Sequence, residues 1–229
     1  MVSSTVRSSC LMDYLTSQRA GSPYTLGQAQ SHILQGPLGK HISWIQQSPL
    51  DYLSTLSHNS MIFDVAVLAH CLWYFPSPSV ILSTFRALKQ HSRRLLLAEW
   101  SLLASHPSAQ PHVLAALAQA ALECRKSTSE SNIRTVLSPK RLTELARAAG
   151  WRLASETRLQ PGDGVLHGQW EVNACLSRTF DKQVEEQVID GRERGVVFAL
   201  RDACEASLEA VEYGRSGVRS MDIWAASFA

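Results

Sequence analysis

Two side chains suited to proton transfer stand at matching places in the chain. His70 ends the apolar run of FDVAVLAHCLWYF, and Glu99 ends that of RRLLLAEW. An imidazole titrates near neutral pH and a partly buried carboxylate can be raised toward it, so the two could act as an acid/base pair. Trp73, Tyr74 and Trp100 follow the same two run ends, and flat, half-apolar side chains of this kind suit the wall of a small-molecule pocket. Each residue also has a plainer explanation. His70 could be a hydrogen-bonded core residue, Trp73 and Tyr74 could pack on the following helix, and Glu99 could cap a helix or pair with Arg93 or Arg94. His167 and Trp170 follow the turn-rich QPGDGVLHG, a loop that could lie over the site or be simple surface. Cys71 reads as a small buried residue, since no base stands at a supportive spacing.

The elements that must position these residues are legible from periodicity. The nearly continuous apolar run at 61–68 predicts a parallel strand covered on both faces. SPSVILSTFRALKQ repeats apolar residues at helical spacing, and RRLLLAEW is a second continuous run. Strand, helix and strand make a βαβ unit, which parallel neighbours require. Ligands of open α/β sheets bind beyond the carboxyl ends of such strands, where His70 and Glu99 fall. Downstream, residues 111–125 predict a helix. Ser138, Pro139 and Gly150 mark the cap, first turn and stop of another. WRLASETRL and QWEVNACL alternate as strands do, residues 180–213 read as helical, and VRSMDIWAASF as a last strand. Upstream, HISWI predicts a short strand, and residues 1–20 an irregular segment before one domain at 21–229.

Composition narrows the function classes. The 229 residues are 45% hydrophobic and 18% charged, with a formal charge of +2 and the basic residues scattered. This fits an ordinary globular chain without the electrostatic footprint of a nucleic-acid binder. Five widely spaced cysteines form no CxxC or Cys/His pair, which argues against a disulfide framework and a metal site and favours a reducing, cytoplasmic setting. No apolar run approaches the roughly 18 residues of a membrane span. The expected partner is a small molecule.

The order of these elements resembles the fourth strand, helix and fifth strand of the class I S-adenosylmethionine-dependent methyltransferases, and LSPKRLTELARAAGWRL resembles the helix and sixth strand that follow. More narrowly, SPYTLGQAQSHI, GPLGKHISW, LAHCLWYF and GQWEVNACL together resemble a group of fungal methyltransferase-like proteins. The resemblance implies an α/β, Rossmann-like class I methyltransferase fold, N-terminally truncated, with a mostly parallel sheet and C-terminal antiparallel strands. It implies S-adenosylmethionine as cofactor, held by Gln46, Gln47, Ala69 and His70, with His70 and Glu99 as catalytic residues. Trp73, Tyr74 and Trp100 would bind a small, secondary-metabolite-like substrate.

One part of the family pattern has no match: nothing upstream of Gly21 resembles the strand and E/D-x-G-x-G-x-G turn that bring the backbone against the cofactor. The expectation is therefore impaired cofactor binding. The strand at 63–68 would also lose its neighbours, so HISWI, the N-terminal segment or a second subunit is expected beside it, unless the chain is an incomplete gene model or splice form. Two further readings stay open: a cofactor-independent isomerase or cyclase on the same fold, and a non-catalytic homo- or heterodimer partner of a complete methyltransferase.

Overall fold

The structure is a computed structural model that describes residues 6–8, 25–56, 63–129 and 131–229. The chain divides into two compact units, Met1–Ser60 and Met61–Ala229. In the first, β1 (Val6–Ser8) pairs in parallel with β2 (Ile42–Trp44) as a two-stranded sheet. Helix α1 (Leu26–Leu34) starts at a capping box, in which Thr25 accepts from the Gln28 amide and the Gln28 side chain accepts from the Thr25 amide. Helix α2 (Pro49–Ser54) is capped by Ser48. The rest of the 1–20 segment lies outside the described residues.

The second unit is built on a four-stranded mixed sheet. Strand β3 (Phe63–Ala69) leads through α3 (Pro78–His91) to β4 (Ser92–Trp100), its parallel neighbour. After α4 (Gln110–Glu123) and α5 (Pro139–Ala148) comes β5 (Leu153–Leu159). Helices α6 (His167–Cys175), α7 (Arg178–Gln187) and α8 (Gly191–Ser207) follow, and β6 (Ile223–Phe228) then inserts antiparallel between β4 and β5. The sheet order is β3-β4-β6-β5.

Local signals set several boundaries. Ser138 caps α5, Pro139 opens it, and Gly150 ends it with φ at +88°, a value that favours glycine. Register places Leu95, Leu97 and Glu99 of β4 on one face with Phe228, Ala226 and Trp224 of β6, and all six are buried. A second core forms where α4, α6, α7 and α8 meet, around Leu122, Val172, Phe180 and Val197.

Three expectations are corrected. β3 is the edge strand of its sheet, with Val67 62% exposed, and not a strand covered on both faces. A continuous apolar run reports strand propensity but not which edge finds a partner. HISWI does not join it either: β2 pairs with β1 in a separate sheet, and β4 is the strand partner of β3 among the described residues. Last, QWEVNACL lies in α6 and is not a strand, because Gly168, Val172 and Cys175, which are buried, repeat with helical period.

Candidate active site

The chain leaves β3 through a strained turn. The His70 amide still donates to the Ala98 carbonyl at 2.8 Å, extending the ladder by one residue, but φ at His70 is +48°. A non-glycine residue in the left-handed region has to be held there by its surroundings. Glu99 does much of that holding. Its carboxylate, 1% exposed, accepts from the Leu72 amide at 3.1 Å and from the Trp100 amide at 3.0 Å. It therefore anchors the short 3₁₀ turn Leu72–Tyr74 to the end of the neighbouring strand.

His70 and Glu99 meet across the two strand ends. His70 Nδ1 lies 3.5 Å from Glu99 Oε1 and, though buried, makes no hydrogen bond. The imidazole side chain is 35% exposed. Its ring centroid is 4.4 Å from that of Trp100, whose indole also meets His112 at 5.1 Å and His167 at 5.6 Å. His167 in turn meets Trp170 at 5.1 Å. Four rings thus run in series from the end of β3 to the surface, with His112 closing one side.

The three imidazoles differ in environment. His112 is buried on α4, and its Nδ1 accepts from the Met221 amide at 3.0 Å. Burial, followed by the nearby His167 and His70, pushes its pKa down to about 3, so the ring is neutral. His167 is more open, and partial burial and then His70 lower it as well. Sequence reasoning passed over His112, whose only signal is a polar residue on the apolar face of PHVLAALAQA.

The other residues singled out from sequence are placed as follows. Trp73 is 3% exposed and packs with Trp100, Val113, Ala116, Ile133 and Met221, while its indole N–H donates to the Leu137 carbonyl at 3.3 Å. That position is inside the core and not on a pocket wall. Tyr74 is half-buried, and Ala69 is exposed at the end of β3. Gln46 and Gln47 are exposed in the first unit, between β2 and α2. Cavities open elsewhere: one of about 680 Å³ lies along α5 and β5, lined by Pro139, Thr143, Arg147, Glu156, Arg158 and Trp224.

No family profile matches the chain. It is similar to Methyltransferase phomM' of Diaporthe leptostromiformis, 29% identical over 89% of this chain, and to Methyltransferase phomM of the same fungus, 28% identical over the same share. In structure it is similar to a cyclopropane-fatty-acyl-phospholipid synthase-like protein from Lactobacillus casei, with a TM-score of 0.73 at 25% identity, over 94% of this chain and 73% of that one. The chain has the class I methyltransferase fold and is similar in sequence to these two methyltransferases. It spans 61% of the length of the two fungal methyltransferases. The methyltransferase fold here carries a mixed sheet, because β6 runs antiparallel to both its neighbours.

Proposed function

We propose that this chain is an S-adenosylmethionine-dependent methyltransferase-like protein that acts on a small metabolite at the carboxyl ends of β3 and β4. The observation that carries the reading is the pairing of a strained, half-exposed His70 with the buried Glu99 carboxylate, 3.5 Å away, over the Trp100 ring. A carboxylate beside Nδ1 favours the tautomer with its proton on that nitrogen. That leaves Nε2 with a lone pair to take a proton from the acceptor as it attacks. Glu99 is a positioning residue here, since both its oxygens are engaged with backbone amides.

The cofactor, when bound, supplies an electrophilic methyl group. The end of β3 fits one part of it, because Ala69 is exposed there and the His70 side chain is partly open to solvent. The ribose has no such match: the sequence contains no acidic-x-Gly-x-Gly-x-Gly run. The reading is therefore of weak cofactor binding by this chain. Tyr74 and Trp100 are the aromatic residues offered to substrate, and the setting is cytoplasmic. A test is release of S-adenosylhomocysteine when the chain is incubated with cofactor and a panel of hydroxylated and carboxylated acceptors. His70→Asn tolerates the left-handed backbone and should abolish turnover; unchanged turnover would remove His70 from the chemistry.

A second reading, a non-catalytic partner of a complete methyltransferase, is favoured by the edge position of β3 and the exposure of Val67. A monomeric mass in solution, alone and mixed with such an enzyme, would overturn it.

A further inference from the structure

Trp170 is 59% exposed, and it belongs to a ring series and is not an isolated surface residue. From Trp170 the centroids step 5.1 Å to His167, 5.6 Å to Trp100 and 4.4 Å to His70, with neighbouring planes tilted by 50° to 53°. Tilted pairs at about 4.5 to 7 Å are the arrangement that aromatic quadrupoles favour. The series is open at Trp170 and closed at His70 by Glu99.

The helix that presents the outer two rings is fixed on several sides. The Gly168 amide donates to Ser220 Oγ at 3.1 Å, and that hydroxyl donates to the Val165 carbonyl at 2.7 Å. Gln169 Nε2 donates to the Ser216 carbonyl at 2.9 Å, and Gln119 Nε2 on α4 donates to Glu171 Oε2 at 2.7 Å. A Cβ at Gly168 would lie 2.5 Å from the Arg219 carbonyl oxygen, so this close approach requires glycine. With α6 held this way, His167 and Trp170 are pre-organised before any ligand arrives, which lowers the ordering cost of binding.

We infer that His167 and Trp170 form the substrate-recognition wall of the site at the strand ends, and that the group they take is a flat aromatic ring of the acceptor. This rests on the reading of that site as the acceptor site. A flat ring extends the tilted series and gains ring geometry as well as buried area, whereas an alkyl chain gains area alone.

The test is calorimetric titration of the whole chain, without cofactor, using 2-naphthol as the flat probe and octan-1-ol as the aliphatic one. Binding of 2-naphthol is expected, with octan-1-ol weaker by about fivefold or more. Trp170→Ala and His167→Ala should each weaken 2-naphthol by about five- to tenfold. Trp170→Phe should recover part of the loss, and Tyr213→Ala, at an exposed aromatic elsewhere, should change nothing. Both altered side chains face solvent, and unchanged melting curves would confirm intact folding. Equal affinity in Trp170→Ala, an equal or stronger alcohol, or no binding of 2-naphthol would each overturn the inference. Because no cofactor is present, failure of methyl transfer leaves this result standing. Turnover without 2-naphthol binding overturns this inference and leaves the activity.

Discussion

Glu99 Oε2 accepts from the Leu72 amide at 3.1 Å while its Oε1 accepts from the Trp100 amide at 3.0 Å, so one buried carboxylate ties the turn after β3 to the end of β4. Glu99→Ala would leave two buried amides without acceptors. Each unsatisfied group costs about 1 to 3 kcal/mol, so a loss of roughly 2 to 5 kcal/mol in urea unfolding is expected. A loss below about 0.5 kcal/mol would mean that water replaces the carboxylate and that the turn does not depend on it.

Gly168 offers a sharper stability test, because its neighbourhood is backbone and cannot swing aside. Gly168→Ala puts a methyl 2.5 Å from the Arg219 carbonyl oxygen, whereas a Cβ at Gly162, in the preceding loop, meets nothing within 4 Å. Overpacking of this kind costs about 1 to 3 kcal/mol. Gly168→Ala should therefore lower the unfolding midpoint clearly and Gly162→Ala should not. Equal midpoints would show that α6 can shift, which would also weaken the argument for a pre-organised Trp170.

His112 predicts the direction of the acid response. Its folded pKa of about 3 lies below the ordinary 6.5, chiefly through burial. Between those values the unfolded chain binds more protons than the folded one, so stability rises with pH there. The contribution is complete above about pH 6.5 and is lost as the pH falls toward 3, by up to roughly 5 kcal/mol. His112→Asn keeps an acceptor near the Met221 amide and removes the titration. Plots of unfolding free energy against pH should be shallower over this window for the variant, and parallel plots would contradict a neutral, buried His112.

These sites show how far the chain could be read before its structure. The βαβ unit was legible because apolar runs and a helical repeat alternate there, and parallel neighbours end on the same side, which brings His70 and Glu99 together. The role of Glu99 as a backbone anchor was not decidable, since it depends on where the Leu72 amide points. Trp73 follows a strand end, as a pocket residue would, but the 3₁₀ turn Leu72–Tyr74 carries it into the core. In α6, Trp170, Val172 and Ala174 alternate like a strand. Gly168, Val172 and Cys175 keep a helical period in the same stretch and are the residues buried, Gly168 against Ser220 and the Arg219 backbone, so the segment carries both patterns and local periodicity alone does not decide between them.

The last prediction concerns the cofactor: the 229-residue chain should bind S-adenosylmethionine weakly or not at all. Ala69 and His70 stand at the carboxyl end of β3, where open α/β sheets hold their ligands. The ribose hydroxyls then lack both the carboxylate and the glycine-lined backbone that the resemblance calls for. A lost hydrogen bond to a buried polar group removes about 1 to 3 kcal/mol, so losing two or three turns a micromolar site into a roughly millimolar one. Calorimetric titration with S-adenosylmethionine, and separately with S-adenosylhomocysteine, measures this directly. Dissociation constants near millimolar for both are expected, with His70→Asn weakening whatever binding remains. A low-micromolar constant would show that other residues of this chain hold the ribose, and it would make unimpaired methyl transfer the leading account of the His70 and Glu99 pair.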